Sequence, residues 1–331
     1  MTTIVVDAMG GDFAPREIIK GVVSAVKESD IHVVLAGRKQ AVETELKKYS
    51  FSASKISIAD ASEVVSMDEP AATSVRKKKD SSISIGLNFV KEGKAHAFFS
   101  AGNTGAVVCA ATLKLGLLEG IERPGISVLA PTLKGFSLVI DVGANIDPKP
   151  VHILQYAIMA NSYLEHVFNK KRPTIGILNI GTESSKGTDF IKESFSLLKK
   201  SGLNFIGNVE GKDIFNGNTD IIVSDGFVGN VALKVSESLA EMLFVFLKRE
   251  LMSNWMNKLA VLFLKSSLKR FKSKVDYSEY GGAPLLGVDG AVIIGHGRSC
   301  AKAVKNGIRV AQEEVERSVN AHIIESIRKI Q

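Results

Sequence analysis

The chain has 331 residues, 45% hydrophobic and 23% charged, a composition and length typical of a soluble globular protein with one large α/β domain or two smaller ones. The first fifteen residues carry Asp7 and Asp12 but no basic segment, so the sequence predicts no secretory leader. The apolar run LAVLFL at 259–264 is far shorter than the roughly 18–20 residues of a membrane span, so it predicts no spanning helix.

The net charge of +7 favours an anionic partner. We expect no nucleic acid partner, because no nucleic-acid-binding module is recognisable and only 7% of residues are aromatic. An acidic carrier protein, anionic lipid and phosphate remain as candidates. The two cysteines, Cys109 and Cys300, form no CxxC motif, which argues against a disulfide framework or structural zinc and is typical of a cytoplasmic protein.

Short apolar runs alternate with helix-length amphipathic stretches through most of the chain. The predicted strands are TIVVD (3–7), HVVLAG (32–37), AHAFFSAG (95–102), FSLVIDVGAN (136–145), TIGILNIG (174–181) and DIIVSDG (220–226). The predicted helices cover 15–29, 38–49, 103–118, 150–169 and 187–201. This alternation predicts an α/β fold with a largely parallel, doubly wound sheet, in which ligands bind beyond the carboxyl ends of the strands.

The pattern changes after about residue 228, where a long helical region runs to about 274. A glycine-rich stretch, GGAPLLGVDGAVIIGHGRS, follows at 281–299, and a closing helix is predicted from about 299 to 329. We interpret 1–331 as one continuous catalytic domain in which 239–274 forms an amphipathic helical protrusion. The sequence leaves open whether this protrusion is one helix or two joined near Ser253.

Six strand ends are rich in glycine and small polar residues: DAMGGD (7–12), SAGNTGA (100–106), DVGAN (141–145), NIGTESSKG (179–187), SDGFVGN (224–230) and GHGRS (295–299). Glycine allows the backbone to approach an oxyanion, and a following helix N-terminus adds a favourable dipole. The P-loop, GxSxG and HExxH signatures are absent from the sequence, and no covalent nucleophile is evident. Together these loops favour a site for a small oxyanion such as phosphate.

These loops, together with GNVEG (207–211) and GGAPLLGVDG (281–290), resemble in order those of the phosphate acyltransferase family, the acyl-[acyl-carrier-protein]–phosphate transacylases of bacterial phospholipid synthesis. The resemblance runs from residue 7 to about 299. It implies transfer of a fatty acyl group from the carrier-protein thioester to inorganic phosphate. It also implies a homodimer with a Rossmann-like three-layer α/β/α fold related to isocitrate and isopropylmalate dehydrogenases and to phosphotransacetylases.

Phosphate is a nucleophile and a thioester is already activated, so such an enzyme mainly positions the two and stabilises an oxyanion. No cofactor is expected. The predicted phosphate-binding residues are Gly10, Gly11, Gly102, Asn103, Thr104, Gly105, Asn145 and Arg298. The predicted catalytic residues are Lys186, Asn103, Asp7, Asp225 and His296. In this hypothesis Lys186 supplies a positive charge, and Asn103 or Asn145 supplies a neutral side-chain donor.

Asp7, Asp12, Asp141 and Asp225 would repel phosphate unless they are turned away or paired. They can accept backbone N–H bonds within the loops, orient a basic side chain, or bind Mg²⁺. We favour the first two interpretations together, because the proposed chemistry needs no metal.

The stretch 248–274 carries eight basic residues and one acid, Glu250. On a helix, Lys258, Lys265, Lys269 and Lys272 lie within a narrow arc, beside a face that includes Trp255, Leu259 and Phe263. Such a helix suits the surface of an anionic membrane, and the family resemblance also suggests peripheral membrane association here. Packing against a second subunit and binding of the acidic carrier protein are the alternatives.

Three other functions remain open. A short-chain phosphotransacetylase would use acyl-coenzyme A, and a metal-dependent dehydrogenase on the same scaffold would use the aspartates as ligands. A membrane-bound scaffold without enzymatic activity would leave six glycine-rich loops without a purpose. A phosphate-dependent assay of acyl-carrier-protein consumption separates these functions.

Overall fold

The structure is a computed structural model and describes residues 1–275 and 281–330, with the side chains of 272–275 excepted. Eleven described strands form one sheet in the order β3-β2-β1-β4-β11-β10-β5-β6-β9-β7-β8. They are β1 (Thr2–Asp7), β2 (Ile31–Gly37), β3 (Ile56–Asp60), β4 (Ala97–Ser100), β5 (Gly125–Thr132), β6 (Gly135–Ile140), β7 (Ile175–Leu178), β8 (Phe205–Val209), β9 (Ile221–Val223), β10 (Ala283–Leu286) and β11 (Ala291–Ile294).

Most neighbouring strands are parallel, as predicted, but β5–β6, β5–β10 and β10–β11 are antiparallel. These three pairings reverse the chain direction in the middle of the sheet. Strands β1 to β4 and β11 therefore run opposite to β6, β7, β8 and β9. The six glycine-rich loops consequently leave the sheet at two edges, three at one and three at the other.

The described residues include twelve α-helices. They are α1 (Arg16–Glu28), α2 (Lys39–Leu46), α3 (Ala71–Lys77), α4 (Ser82–Lys91), α5 (Thr104–Lys114), α6 (Pro150–Val167), α7 (Asp189–Lys200), α8 (Asp213–Asn216), α9 (Gly226–Leu251), α10 (Trp255–Val275), α11 (Ala301–Glu316) and α12 (Val319–Ile330). A single 3-10 turn spans Ala53–Lys55. The five helices predicted before residue 202 are all present, each shorter than predicted.

The core has three hydrophobic clusters, which show the three-layer α/β/α arrangement. One face of the sheet packs against α3, α4, α5 and the first turns of α9, through residues such as Val5, Phe98 and Ile222. The other face packs against α1 and α11 on the β1 side, and against α6, α7 and α12 on the β6 side. Alternate residues of a strand enter opposite clusters, as Val5 and Val6 do, because successive side chains of a strand point to opposite faces.

Helix starts follow the capping signals in the sequence. Ser81, Asn103, Thr188 and Asp225 each accept a backbone N–H bond from the first turn of the following helix. The predicted closing helix at 299–329 is instead two helices, α11 and α12, because Ser318 between them has a left-handed φ of 48°.

The stretch 239–274, predicted to form a protrusion, lies on two helices, α9 and α10, which are separated at 252–254, so the chain near Ser253 is not one continuous helix. Within α9 only Gly226 and Gly229 are buried. The two helices contact each other through Phe244 and Phe271, whose ring centroids are 5.8 Å apart. No described helix combines the length and apolar character needed to cross a membrane.

Candidate active site

Three glycine-rich loops meet at one edge of the sheet. We call them the first loop group: residues 7–12 after β1, 100–105 after β4 and 295–299 after β11. The Asp12 N–H donates to the Gly297 carbonyl at 2.8 Å, and the Gly295 N–H donates to the Ser100 carbonyl at 2.7 Å. These bonds place the predicted residues Gly10, Gly11, Gly102, Thr104, His296 and Arg298 on loops that contact one another.

The backbone of Gly10 and Gly11 lies against its neighbours too closely for a side chain. A Cβ on Gly10 would lie 2.5 Å from Asp7 Oδ2 and 2.7 Å from the Gly102 nitrogen. Gly11 has a φ of 99°, and a Cβ there would lie 2.9 Å from the Gly297 carbonyl oxygen. Both positions therefore require glycine, which keeps the surface at this turn made of backbone.

Asp7 is fully buried and binds the loops together. Its Oδ2 accepts a 2.7 Å hydrogen bond from Ser100 Oγ, and its Oδ1 accepts one of 3.0 Å from the Met9 N–H. Burial raises the pKa of the Asp7 carboxyl, while hydrogen bonds from Ser82, Ser100 and the 9–10 backbone oppose that shift. Through these hydrogen bonds, Asp7 links the carboxyl end of β1 to that of β4.

The interpretation that the aspartates accept backbone N–H bonds is confirmed for Asp7, Asp141 and Asp225. Asp141 is buried and accepts from the N–H groups of Ile126, Gly143, Ala144 and Asn145. Among the described residues, no group of three or more His, Cys, Asp or Glu side chains is arranged to hold a metal ion.

Asn103 has a different role from the predicted side-chain donor. Its Oδ1 caps α5 by accepting from the Ala106 N–H, and its Nδ2 lies within 3.0–3.2 Å of the carbonyls of Ser66, Met67 and Glu69. The amide hydrogens are therefore engaged with the 66–69 segment, so the prediction of a free amide donor at Asn103 is wrong.

The first turn of α5 is the exposed part of this loop. Thr104 and Gly105 are exposed, whereas Asn103 is buried. The first N–H groups of a helix have no intrahelical acceptor, and the helix dipole is positive at that end. The Gly102 N–H, in contrast, donates to Ser100 Oγ at 3.0 Å. The turn at 104–105 is therefore a suitable backbone site for an anion.

His296 lies in a group of charged side chains contributed by α9. Its Nε2 is 3.4 Å from Lys234 Nζ and 3.9 Å from Glu237 Oε2. Burial, followed by the nearby charge of Lys234, lowers the pKa of the His296 imidazole. Arg298 is exposed, with its guanidinium 3.7 Å from Glu241 Oε2. Sequence reasoning missed Lys234 and Glu237, although they are three residues apart and so share one face of a helix.

The other three loops form the second loop group: 141–145 after β6, 179–187 after β7 and 224–230 after β9. The Gly226 N–H donates to the Asn145 carbonyl at 2.8 Å, and Asn230 Nδ2 donates to the Val142 carbonyl at 2.9 Å. Asp225 caps α9 by accepting from the Val228 N–H at 2.8 Å. The first and third of these loops are thus joined directly.

Asn145 is also not a free donor. Its Nδ2 lies 2.6 Å from the Pro124 carbonyl and 2.8 Å from Tyr156 Oη. Both amide hydrogens are directed to these partners, so the predicted side-chain donation from Asn145 to phosphate is wrong.

Lys186 is exposed on the loop after β7. Its N–H donates to the Glu183 carbonyl, and its carbonyl accepts from Asn179 Nδ2 at 3.1 Å. Within the described residues these contacts are local and do not join Lys186 to the first loop group. The catalytic role of Lys186 therefore stays a prediction.

Helix α9 connects the two loop groups. It begins beside Asn145 in the second group, and eight residues later Lys234 reaches His296 in the first. Eight residues of helix correspond to about 12 Å. The reversal of strand direction separates the two loop groups, and α9 runs from the second group to a contact with the first.

The overall fold is that of the phosphotransacetylases and related dehydrogenases. A phosphotransacetylase from Streptococcus pyogenes superposes with a TM-score of 0.63 at 17% identity, covering 94% of each chain. A 4-hydroxythreonine-4-phosphate dehydrogenase from Klebsiella pneumoniae superposes with a TM-score of 0.54 at 14% identity, covering 95% of this chain and 98% of that one. At these identities the likeness concerns the fold alone.

The sequence comparisons are more specific. A family model described as fatty acid synthesis protein matches residues 2–322. The phosphate acyltransferase of Dictyoglomus turgidum is 50% identical over 329 residues, covering 99% of this chain and 98% of that protein. The phosphate acyltransferase of Carboxydothermus hydrogenoformans is 50% identical over 321 residues, covering 97% of each. The chain therefore belongs to the phosphate acyltransferase family and is an acyltransferase whose reaction class is phosphate acyltransfer in fatty acid synthesis.

Proposed function

We propose that this enzyme transfers a fatty acyl group from the thioester of acyl carrier protein to inorganic phosphate, giving acyl phosphate for phospholipid synthesis. The observation that carries the proposal is the meeting of the Gly10–Gly11 turn, the first turn of α5 and the 295–299 loop at one edge of the sheet. Backbone amides and a helix N-terminus are suitable ligands for a phosphate ion.

In the proposed step, a phosphate oxygen attacks the thioester carbonyl carbon and forms the new C–O bond. The carbonyl oxygen becomes an oxyanion, and its collapse breaks the C–S bond, so the carrier's thiolate leaves. No covalent enzyme intermediate is formed. The enzyme contributes position and electrostatic stabilisation, which are the main requirements when nucleophile and leaving group are already activated.

Phosphate in this proposal binds the backbone at Gly11, Thr104 and Gly105, with Arg298 as a cationic partner, because the Gly10 N–H is directed to the Asp7 carboxylate. His296 contacts phosphate or the leaving sulfur, and its lowered pKa favours the neutral imidazole at pH 7. Lys186 and Asp225 belong to the second loop group and face the acyl donor. The length of α9 between the two groups supports this division of roles.

The exposed apolar surface of α9 and α10 supports a proposal of peripheral membrane association. Phe263 is 82% exposed, Trp255 73% and Leu259 50%, and Lys258, Lys265 and Lys269 are exposed on the same helix. Lys272 was predicted to extend this arc, but its side chain lies outside the described residues. We also propose that the enzyme is located in the cytoplasm and forms a homodimer. The exposed apolar residues of α9, such as Val235, Leu239 and Leu243, support the dimer.

The test is an assay of acyl-carrier-protein consumption with and without phosphate, with acyl phosphate as the product measured. The proposal predicts consumption that requires phosphate and proceeds without an added cofactor. Rapid turnover of acetyl-coenzyme A with phosphate, and none of the acyl carrier, would instead assign the enzyme as a short-chain phosphotransacetylase.

A further inference from the structure

A group of basic side chains lies at the ends of α3, α4 and α5. We call it the basic surface: Arg76, Lys77, Lys79, Lys91 and Lys114. Arg76, Lys77, Lys79 and Lys91 are exposed, and Lys114 is half-buried. Lys114 Nζ donates to Asn88 Oδ1 at 2.9 Å, which fixes the end of α5 against α4. Within the described chain, no carboxylate forms an ion pair with any of these five residues.

The acidic residues next to this surface are already engaged. Glu69 pairs with Lys78, and Glu92 pairs with Lys94 at 2.6 Å. Asp80 accepts hydrogen bonds from the backbone and hydroxyl of Ser62. Burial lowers the pKa of Lys114, and the positive charges of Lys91 and Lys79 lower it further. The mutual repulsion among these lysines would be relieved by an acidic partner.

The position of the basic surface relative to the first loop group indicates what that partner is. A Cβ on Gly105 would lie 3.1 Å from Ala71 Cβ, so α3 and α5 begin side by side at the first loop group. They pack against each other, and the basic surface lies at their far ends. Helix α5 has 11 residues and is therefore about 16 Å long. A partner at the basic surface needs an extended arm to present a thioester at Thr104.

We propose that the basic surface is the docking site for the acidic acyl carrier protein, whose pantetheine arm runs along α3 and α5 to the first loop group. This inference rests on the proposed function. It is supported by the opposite charges of the basic surface and the carrier protein, and by the direction of α3 and α5 toward the first loop group. In this proposal the lysines of α10 contact the membrane rather than the carrier protein.

The test reverses two exposed charges in the double variant Lys79→Glu/Lys91→Glu. We expect the KM for acyl carrier protein to rise by about tenfold or more, with kcat unchanged. Turnover of the acyl thioester of free pantetheine, which carries no protein, remains at the wild-type rate. Lys79→Arg/Lys91→Arg retains the wild-type KM. The matched control, Lys199→Glu/Lys200→Glu, makes the same change in charge at two exposed lysines of α7, on the other face of the sheet, and leaves the KM unchanged.

An unchanged KM in Lys79→Glu/Lys91→Glu, or an equal rise in the α7 control, overturns the inference. Loss of binding to anionic phospholipid vesicles by Lys79→Glu/Lys91→Glu at an unchanged KM also overturns it and assigns the surface to lipid. Failure of the wild-type enzyme to consume the acyl carrier with phosphate refutes the proposed function itself. The two failures are distinguishable, because the proposed function is tested with the wild-type enzyme alone and the docking site is tested by comparing variants.

Discussion

The Asp7 carboxylate accepts a 2.7 Å hydrogen bond from Ser100 Oγ, which joins two loops that are 93 residues apart in sequence. Both side chains are buried, so this hydrogen bond satisfies a donor and an acceptor that water cannot reach. The pairing holds the Gly10–Gly11 turn against Gly102 and thereby shapes the proposed phosphate site.

Asp7→Ala is expected to abolish phosphate-dependent acyl transfer, because it leaves Ser100 Oγ and the Met9 N–H without their acceptor. The free energy of unfolding should fall by about 1–3 kcal/mol. Ser100→Ala is the control and should retain more activity, since the carboxylate keeps its backbone donors. The measurements are initial rates and denaturant unfolding. If added Mg²⁺ or Mn²⁺ restored the acyl-transfer rate of Asp7→Ala, the proposal that Asp7 serves to link the two loops would be contradicted.

Gly11→Ala is expected to raise the KM for phosphate. The new Cβ meets the Gly297 and Ala101 carbonyl oxygens at 2.9 and 3.1 Å, so the turn must move. Gly116→Ala is the matched control, because Gly116 also has a positive φ but nothing within 4 Å of its Cβ position. Both variants should lose about 1–2 kcal/mol of stability from backbone strain. An equal KM for phosphate in the two variants would show that the turn does not bind phosphate.

Lys234→Met is expected to raise the pKa of His296, because it removes a positive charge that disfavours the imidazolium. Glu237→Gln should lower that pKa further, because Glu237 favours the charged form. Titration of the imidazole by NMR measures both shifts. Lys248→Met, on the same helix but three to four turns further on, should leave the pKa unchanged. A shift of the same size in that control would indicate a long-range charge effect rather than the close contact.

Glu314 on α11 is fully buried, and neither carboxyl oxygen has a hydrogen-bond partner among the described residues. Burial raises its pKa to about 8, from an ordinary value of 4.5. The folded protein thus keeps a proton that the unfolded chain releases, so this residue should make the free energy of unfolding fall as pH rises through that interval.

Glu314→Gln is expected to weaken the fall in the free energy of unfolding with rising pH and to make the protein more stable than wild type near pH 8. Thermal unfolding followed at several pH values measures the effect. The exposed Glu316, two residues later, provides the control variant Glu316→Gln, which should keep the wild-type dependence. If the stability of wild type and of Glu314→Gln changed with pH in the same way, Glu314 would not be a buried carboxyl that stays protonated in the folded protein.

Leu259→Glu/Phe263→Glu is expected to abolish binding to anionic liposomes, because it places two charges on the exposed apolar face of α10. Dimerisation, followed by analytical ultracentrifugation, should be unaffected. Leu133 is 89% exposed but lies outside the protrusion, so Leu133→Glu should bind liposomes normally. Loss of the dimer in the α10 variant would assign this face to the second subunit.

Much of the fold followed from local sequence signals. Burial periodicity indicated six strands, and capping residues such as Asn103, Thr188 and Asp225 mark helix starts. Strands β3, β5, β8, β10 and β11 were not predicted, and β10 and β11 lie in the glycine-rich stretch at 281–299. Periodicity reports which residues are buried, but two short strands close to glycine-rich turns carry too few residues for a clear pattern.

By itself, the sequence determined the family, the loops that carry backbone amides and the helices that follow them, because these depend on residue type and short-range geometry. Only the tertiary structure decided which loops meet. The antiparallel pairings of β5, β6 and β10 reverse the strand direction in half of the sheet. Side chains alternate between the two faces in parallel and antiparallel strands alike, so the sequence period does not show the pairing direction. The same reason applies to single residues: the Asn103 amide and the Lys234–His296 contact depend on partners 34 to 62 residues away, which local chemistry does not specify.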